Sequence, residues 1–147
     1  PSMTELLAMK GKPEAGIAVF KQQCAICHQV NGEGMDFGPK LSEIGSKLPR
    51  EGQYLAILHP SAGTSFGFEG WGIKMKDGSL LTGVVSSKTE TDIDLKYPGG
   101  AIQRIKTADV KSMKQLPDSM MPSGLQESMS SQELVDLVEY LMTLKKK

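Results

Sequence analysis

The chain has 147 residues, of which 39% are hydrophobic and only 5% aromatic, with Lys+Arg and Asp+Glu balanced at 17 each. That length supports one domain with a core of its own, and the zero net charge gives no electrostatic case for nucleic acid or an anionic membrane as partner. No apolar run is long enough to span a bilayer, and the nine methionines read chiefly as flexible core filler.

The chain opens Pro1-Ser2 with no signal-peptide pattern and reads as a mature or excised form. Ser2-Met3-Thr4-Glu5 is a capping box that predicts a short helix through about Met9, ended by Gly11. Pro13 suits the first turn of a second helix, which runs through Ile17, Val19 and Phe20 towards Cys24. Gly16 and Phe20 lie one turn apart on one face. A glycine inside a helix costs about 1 kcal/mol relative to alanine, so close approach of another helix is a reason to keep it; an idle surface position is the alternative.

Cys24-Ala25-Ile26-Cys27-His28 follows. Two cysteines three apart, with histidine directly after the second, is the attachment signal for c-type haem. The two thiols can add to the two vinyl groups of one porphyrin, and His28 then offers its imidazole to the iron. A redox-active disulfide or half a zinc site uses the same cysteine spacing. Zinc needs more ligands than His28 and His59, the only histidines, and a thioredoxin-like site needs a βαβ context that this region lacks.

Residues 29–45 predict a loop, with Gly32, Gly34 and Gly38 allowing unusual backbone angles. Gly38-Pro39, then Leu41 and Ile44, suggests a wrap around the His28 side, where a backbone carbonyl can accept from the second ring nitrogen of His28; an ordinary turn is the alternative. Leu48-Pro49 opens a further helix carrying Tyr54, Leu55, Ile57 and Leu58, stopped by Pro60. His59 reads as a surface residue at that helix end or as a second iron ligand.

Strand alternation starts at Trp71, Ile73 and Met75. Asp77-Gly78 is a hairpin signal. Leu81, Gly83 and Val85 alternate next, then Ile93, Leu95 and Tyr97; Pro98-Gly99-Gly100 turns the chain into a fourth strand over 101–106. These features predict a small four-stranded antiparallel meander within 66–113, with Trp71 and its neighbours covering the haem. Residues 116–125 are irregular, with Met120-Met121-Pro122 at their centre; a thioether is a known sixth ligand to haem iron. Ser130-x-x-Glu133 caps the final helix, with Leu134, Leu137, Val138, Leu141 and Leu144 on its apolar stripe and the lysines 145–147 at its negative end.

Taken together, the Gly16/Phe20 helix, the Cys-x-x-Cys-His motif, Gly38-Pro39, the methionine–proline loop and Leu137-x-x-Tyr140 resemble a class I c-type cytochrome. The segments GPKLSEIG, LAILHPSA, KDGSLLTGVV and SMMPSGL resemble more closely the haem-binding domain common in planctomycete and verrucomicrobial proteins, over about 12–144. His59 departs from that pattern, which usually has an acidic or amide residue there. The resemblance implies a mainly α class I cytochrome c fold with an inserted small antiparallel sheet, forming a single domain over 1–147. It implies that Gly16 and Phe20 meet Leu137 and Tyr140. It further implies one covalently attached haem c on Cys24 and Cys27, His28 and a methionine on iron, and the Pro39 carbonyl on His28. Met121 is preferred over Met120 because it directly precedes Pro122, as the family's ligand does.

The implied function is one-electron transfer in the periplasm or elsewhere outside the cytoplasm, without substrate turnover. The chain would be a monomer or a former of transient complexes, taking electrons from a dehydrogenase-like donor and passing them to a higher-potential acceptor. A haem enzyme or gas sensor with a displaceable sixth ligand is the alternative.

Overall fold

A computed structural model describes residues 1–146. Five helices of α type appear: α1 (Met3–Ala8), α2 (Pro13–Gln23), α3 (Ile44–Lys47), α4 (Arg50–Leu58) and α5 (Ser131–Thr143). Five strands lie between α4 and α5: β1 (Gly70–Met75), β2 (Leu80–Lys88), β3 (Asp92–Lys96), β4 (Ile102–Lys106) and β5 (Val110–Gln115). The chain is 36% helical and 23% strand, with a five-stranded antiparallel sheet. This corrects the expectation of a mainly α fold: the structure is a mixture of α and β.

Both capping boxes form. Ser2 and Glu5 close the start of α1, and Ser130 and Glu133 close the start of α5. The largest helix–helix interface is between α2 and α5. A β-carbon on Gly16 would strike the Asp136 carbonyl and come within 2.7 Å of Tyr140 Cβ. The glycine is therefore where the two backbones touch. One turn on, the rings of Phe20 and Tyr140 meet edge to face at 5.7 Å and 66°, a favoured aromatic geometry. Val135, Leu137 and Val138 of α5 are fully buried in the helical core with Val19, Phe20, Tyr54 and Ile57.

The short α3 begins in the last two residues of the predicted loop. Gly45 and Leu144 explain it: Gly45 N donates to the Leu144 carbonyl at 2.7 Å, and a β-carbon there would clash with the end of α5. Gln53, buried on α4, donates from Nε2 to the carbonyls of Ile44 (3.0 Å) and Leu48 (3.3 Å). Gln53→Leu should therefore lower stability by roughly 1–3 kcal/mol, the cost of leaving a buried polar group without its partner. Denaturant melts of the two proteins measure the difference, and equal midpoints would refute it.

The sheet order is β4-β3-β2-β1-β5. Four strands form the expected meander. The fifth, absent from the sequence reading, returns to pair with β1. Its apolar residues Val110 and Met113 are three apart, which breaks strand alternation, and a register shift at Lys74/Met75 accommodates them. Ile73, Ile93, Leu95 and Ile105 form a second core, packed by Met75, Leu81, Val85, Tyr97, Val110 and Met113. Since all of these belong to the sheet or its turns, the sheet curls over its own apolar face. Leaving β5, Leu116 N donates to the Gly70 carbonyl at 2.8 Å, so the sheet's entrance and exit lie side by side.

Candidate functional site

Cys24 caps α2, its N–H donating to the Phe20 carbonyl at 2.8 Å. The chain then winds one more turn: Cys27 N and His28 N both donate to the Cys24 carbonyl, at 3.0 and 2.9 Å. That turn presents both sulfurs and the imidazole to one cavity. Both cysteines are free thiols, Cys24 buried and Cys27 half-buried. Burial, with the neighbouring Cys27, pushes the Cys24 thiol up to about 12, and burial also raises Cys27. Reactive dithiol sites lower their nucleophile instead, so this pair is unlike a disulfide-exchange site.

The following loop is strapped to the motif. Met35 N donates to the Ala25 carbonyl at 2.8 Å, and Phe37 N and Gly38 N both reach the Cys27 carbonyl. Gly34, at φ +102°, lies against the His28 carbonyl, where a β-carbon has no room. The strap ends at Pro39, whose carbonyl lies 2.6 Å from His28 Nδ1 and accepts its proton. That bond fixes the tautomer and leaves Nε2 bare. Burial lowers the His28 pKa, opposed by the Pro39 bond, so the ring is held neutral and able to ligate a metal. Gly38 lies flat on the imidazole: its β-carbon would be 2.7 Å from Cε1 and 3.0 Å from Nδ1.

The cavity has a volume of about 640 Å³ and mainly apolar walls. Cys24, Cys27, His28 and Pro39 line one part of it; Ser119, Met120, Met121 and Pro122 line another. Ile44, Ile57 and Leu141 come from the helical core, and the sheet contributes Val84. The methionine turn is tethered in two steps. Met121 N donates to Ser119 Oγ at 3.1 Å, and Ser119 N donates to Ser61 Oγ at 3.0 Å. His59, exposed at the end of α4, also borders the cavity. Trp71 does not border it; it lies beside Phe66, Glu69 and Met113 in a separate groove, and the aromatic residues on the cavity wall are Phe37 and Phe68.

The donor set decides what fits. Among the described residues, no group of three or more His, Cys, Asp or Glu side chains could hold a bare metal ion. A neutral imidazole and a thioether on one apolar cavity suit a metal that brings its own equatorial ligands, as haem iron does. The residues present therefore fit haem. Sequence reasoning missed Ser61, Ser119, Phe68 and Val84, because their places come from contacts between segments far apart in the chain and no local pattern marks them.

No helix among the described residues is long and apolar enough to cross a membrane. Over 47 residues the chain is 39% identical to the "Cytochrome c-553-like" protein of Synechocystis sp. (strain ATCC 27184 / PCC 6803 / Kazusa). That match covers 32% of this chain and 44% of the other, less than half of the relative's length. Residues 13–145 match the cytochrome c family. They run from the first turn of α2 to just past the end of α5 and take in the thiol pair, the imidazole and the methionine turn: the chain belongs to the cytochrome c family.

Proposed function

We propose that the protein carries single electrons on one covalently attached haem c, outside the cytoplasm and without transforming a substrate. The observation that carries this reading is the His28 Nδ1–Pro39 bond, which leaves Nε2 free on a histidine lining the same cavity as the methionine turn. Haem c supplies a one-electron Fe(III)/Fe(II) couple when bound. Cys24 and Cys27 would hold it by thioether bonds, and His28 Nε2 and Met121 Sδ would hold its iron. Thioether ligation raises the potential relative to two histidines, which favours taking electrons from a dehydrogenase-like donor and passing them to a higher-potential acceptor. The zero net charge of the sequence suits brief contacts that depend weakly on salt. The chain reads as a single cytochrome c domain interrupted by the sheet and related to the planctomycete and verrucomicrobial haem-binding domains, acting alone or in transient complexes.

Acid–acetone treatment tests attachment: the colour should stay with the protein, whose mass should exceed that of the chain by one haem. Haem in the organic phase would refute it. Carbon monoxide tests the carrier reading. The ferric protein should be reduced rapidly, and the ferrous form should bind carbon monoxide only slowly, because Met121 would already hold the iron on that side. Rapid binding, or sustained peroxide turnover, would make this a haem sensor or enzyme.

A further inference from the structure

Two neighbouring thioethers, Met120 and Met121, border one cavity, and only one of them can be the sixth ligand. Their chemistry is the same, so the surrounding structure has to choose. It sorts them. A β-carbon on Gly70 would lie 2.9 Å from Met120 Sδ and 3.0 Å from its Cγ. The Met120 sulfur is thus lodged on the bare α-carbon of the first residue of β1. The Gly70 carbonyl also accepts from Leu116 N at 2.8 Å, so the segment leading to Met120 is pinned to the residue that receives its sulfur. Met121 has other neighbours: it packs against the helical core, with its N–H on Ser119 Oγ.

We propose that Gly70 is a positioning residue that sequesters the Met120 thioether on the sheet and so leaves Met121 as the iron ligand. The proposal rests on the Met121 reading above. A methionine side chain is unbranched and flexible and would otherwise compete freely. Gly70 is not in the left-handed region, so its backbone accepts alanine. The atoms nearest an added β-carbon belong to the movable end of Met120. Gly70→Ala should therefore evict Met120 from its seat while the fold persists.

The thioether-to-iron(III) charge-transfer band of the holoprotein reads the outcome. It should be present in the wild type, absent in Met121→Ala, recovered to half or more in Gly70→Ala/Met121→Ala, and absent again when Met120→Ala is added. A band that survives in Met121→Ala would refute the Met121 reading itself. A band lost in Met121→Ala and not recovered in the double variant would overturn the role of Gly70 alone. Gly70→Ala by itself gives an independent check, since Met121 is then intact. Proton NMR of its ferrous form should show two ring-current-shifted methionine methyl resonances in place of one, and a single resonance would overturn the proposal.

Discussion

Gly16→Leu is expected to lower the stability of the holoprotein by about 3 kcal/mol or more, since overpacking costs typically 1–3 kcal/mol and occasionally more. The reason lies in what the new side chain meets. Even its β-carbon would strike the Asp136 backbone carbonyl and approach Tyr140 Cβ at 2.7 Å, and backbone in the middle of α5 has nowhere to go. The helices must separate. Separation pulls on the Phe20–Tyr140 ring pair and on the bond from Lys12 N to Asp136 Oδ1 at 2.8 Å, where the buried carboxylate also accepts from Gln132 Nε2. Replacing glycine in a helix gains about 1 kcal/mol of propensity, too little to offset this. For a chain of this size each kcal/mol is worth about 2–4 °C, so calorimetry should show a fall of roughly 6–12 °C, with Gly16→Ala in between. A leucine variant melting with the wild type would mean that the crossing has slack the structure does not show.

The second large effect is at His28, the proposed iron ligand. Gly38→Ala places a methyl 2.7 Å from His28 Cε1, 3.0 Å from Nδ1 and 3.2 Å from Nε2. Gly38 N is tied to the Cys27 carbonyl, so the strap cannot retreat and the ring must swing. The swing breaks the 2.6 Å bond to the Pro39 carbonyl. Loss of such an outer partner typically costs about 10–100-fold in metal affinity. Acid should therefore displace His28 from the iron at a pH about 1–2 units higher in the variant, the equivalent of that loss. The thioether bonds through Cys24 and Cys27 would keep the colour on the protein. An acid titration of His28 release that superimposes on that of the wild type would show that His28 is held by something other than Pro39.

How much of this was legible in the sequence depended on whether the signal was local. The two capping boxes, the glycine at the α2–α5 crossing and the run from Cys24 to His28 each announce themselves within a few residues. The predicted crossing of Gly16 and Phe20 with Tyr140 is present in the structure. The fold class was misjudged because the sheet was counted as a small addition to a helical protein. β5 shows no alternation, being a mostly exposed edge strand paired across a register shift, and it carries the strand content beyond the meander. α3 was hidden for a different reason: four residues are too few for a periodic stripe, and its stability comes from Gln53 and the end of α5. The seat of Met120 on Gly70 joins residues fifty positions apart, and Trp71 faces away from the cavity because strand register, not hydrophobicity, decides which way a side chain points.

The single hydrogen bond from Leu116 N to the Gly70 carbonyl has a consequence for how the chain finds its shape. Before α2 and α5 can meet, a long segment must be closed into a ring, and distant contacts of this kind slow folding. If the sheet forms first, its two ends are already neighbours, and the search by the helices is made over a chain shorter by the whole excursion. The equilibrium gain is slight, because even halving a loop is worth only about 0.6 kcal/mol. The same logarithm makes lengthening cheap: residues added at the exposed Asp77-Gly78 hairpin tip, where an added β-carbon meets nothing, would barely register in the closure that joins the helices. Length variation should therefore gather at the Asp77-Gly78 tip, where it costs the helical half almost nothing, and not at the turn over 98–100, which lies against Asp36.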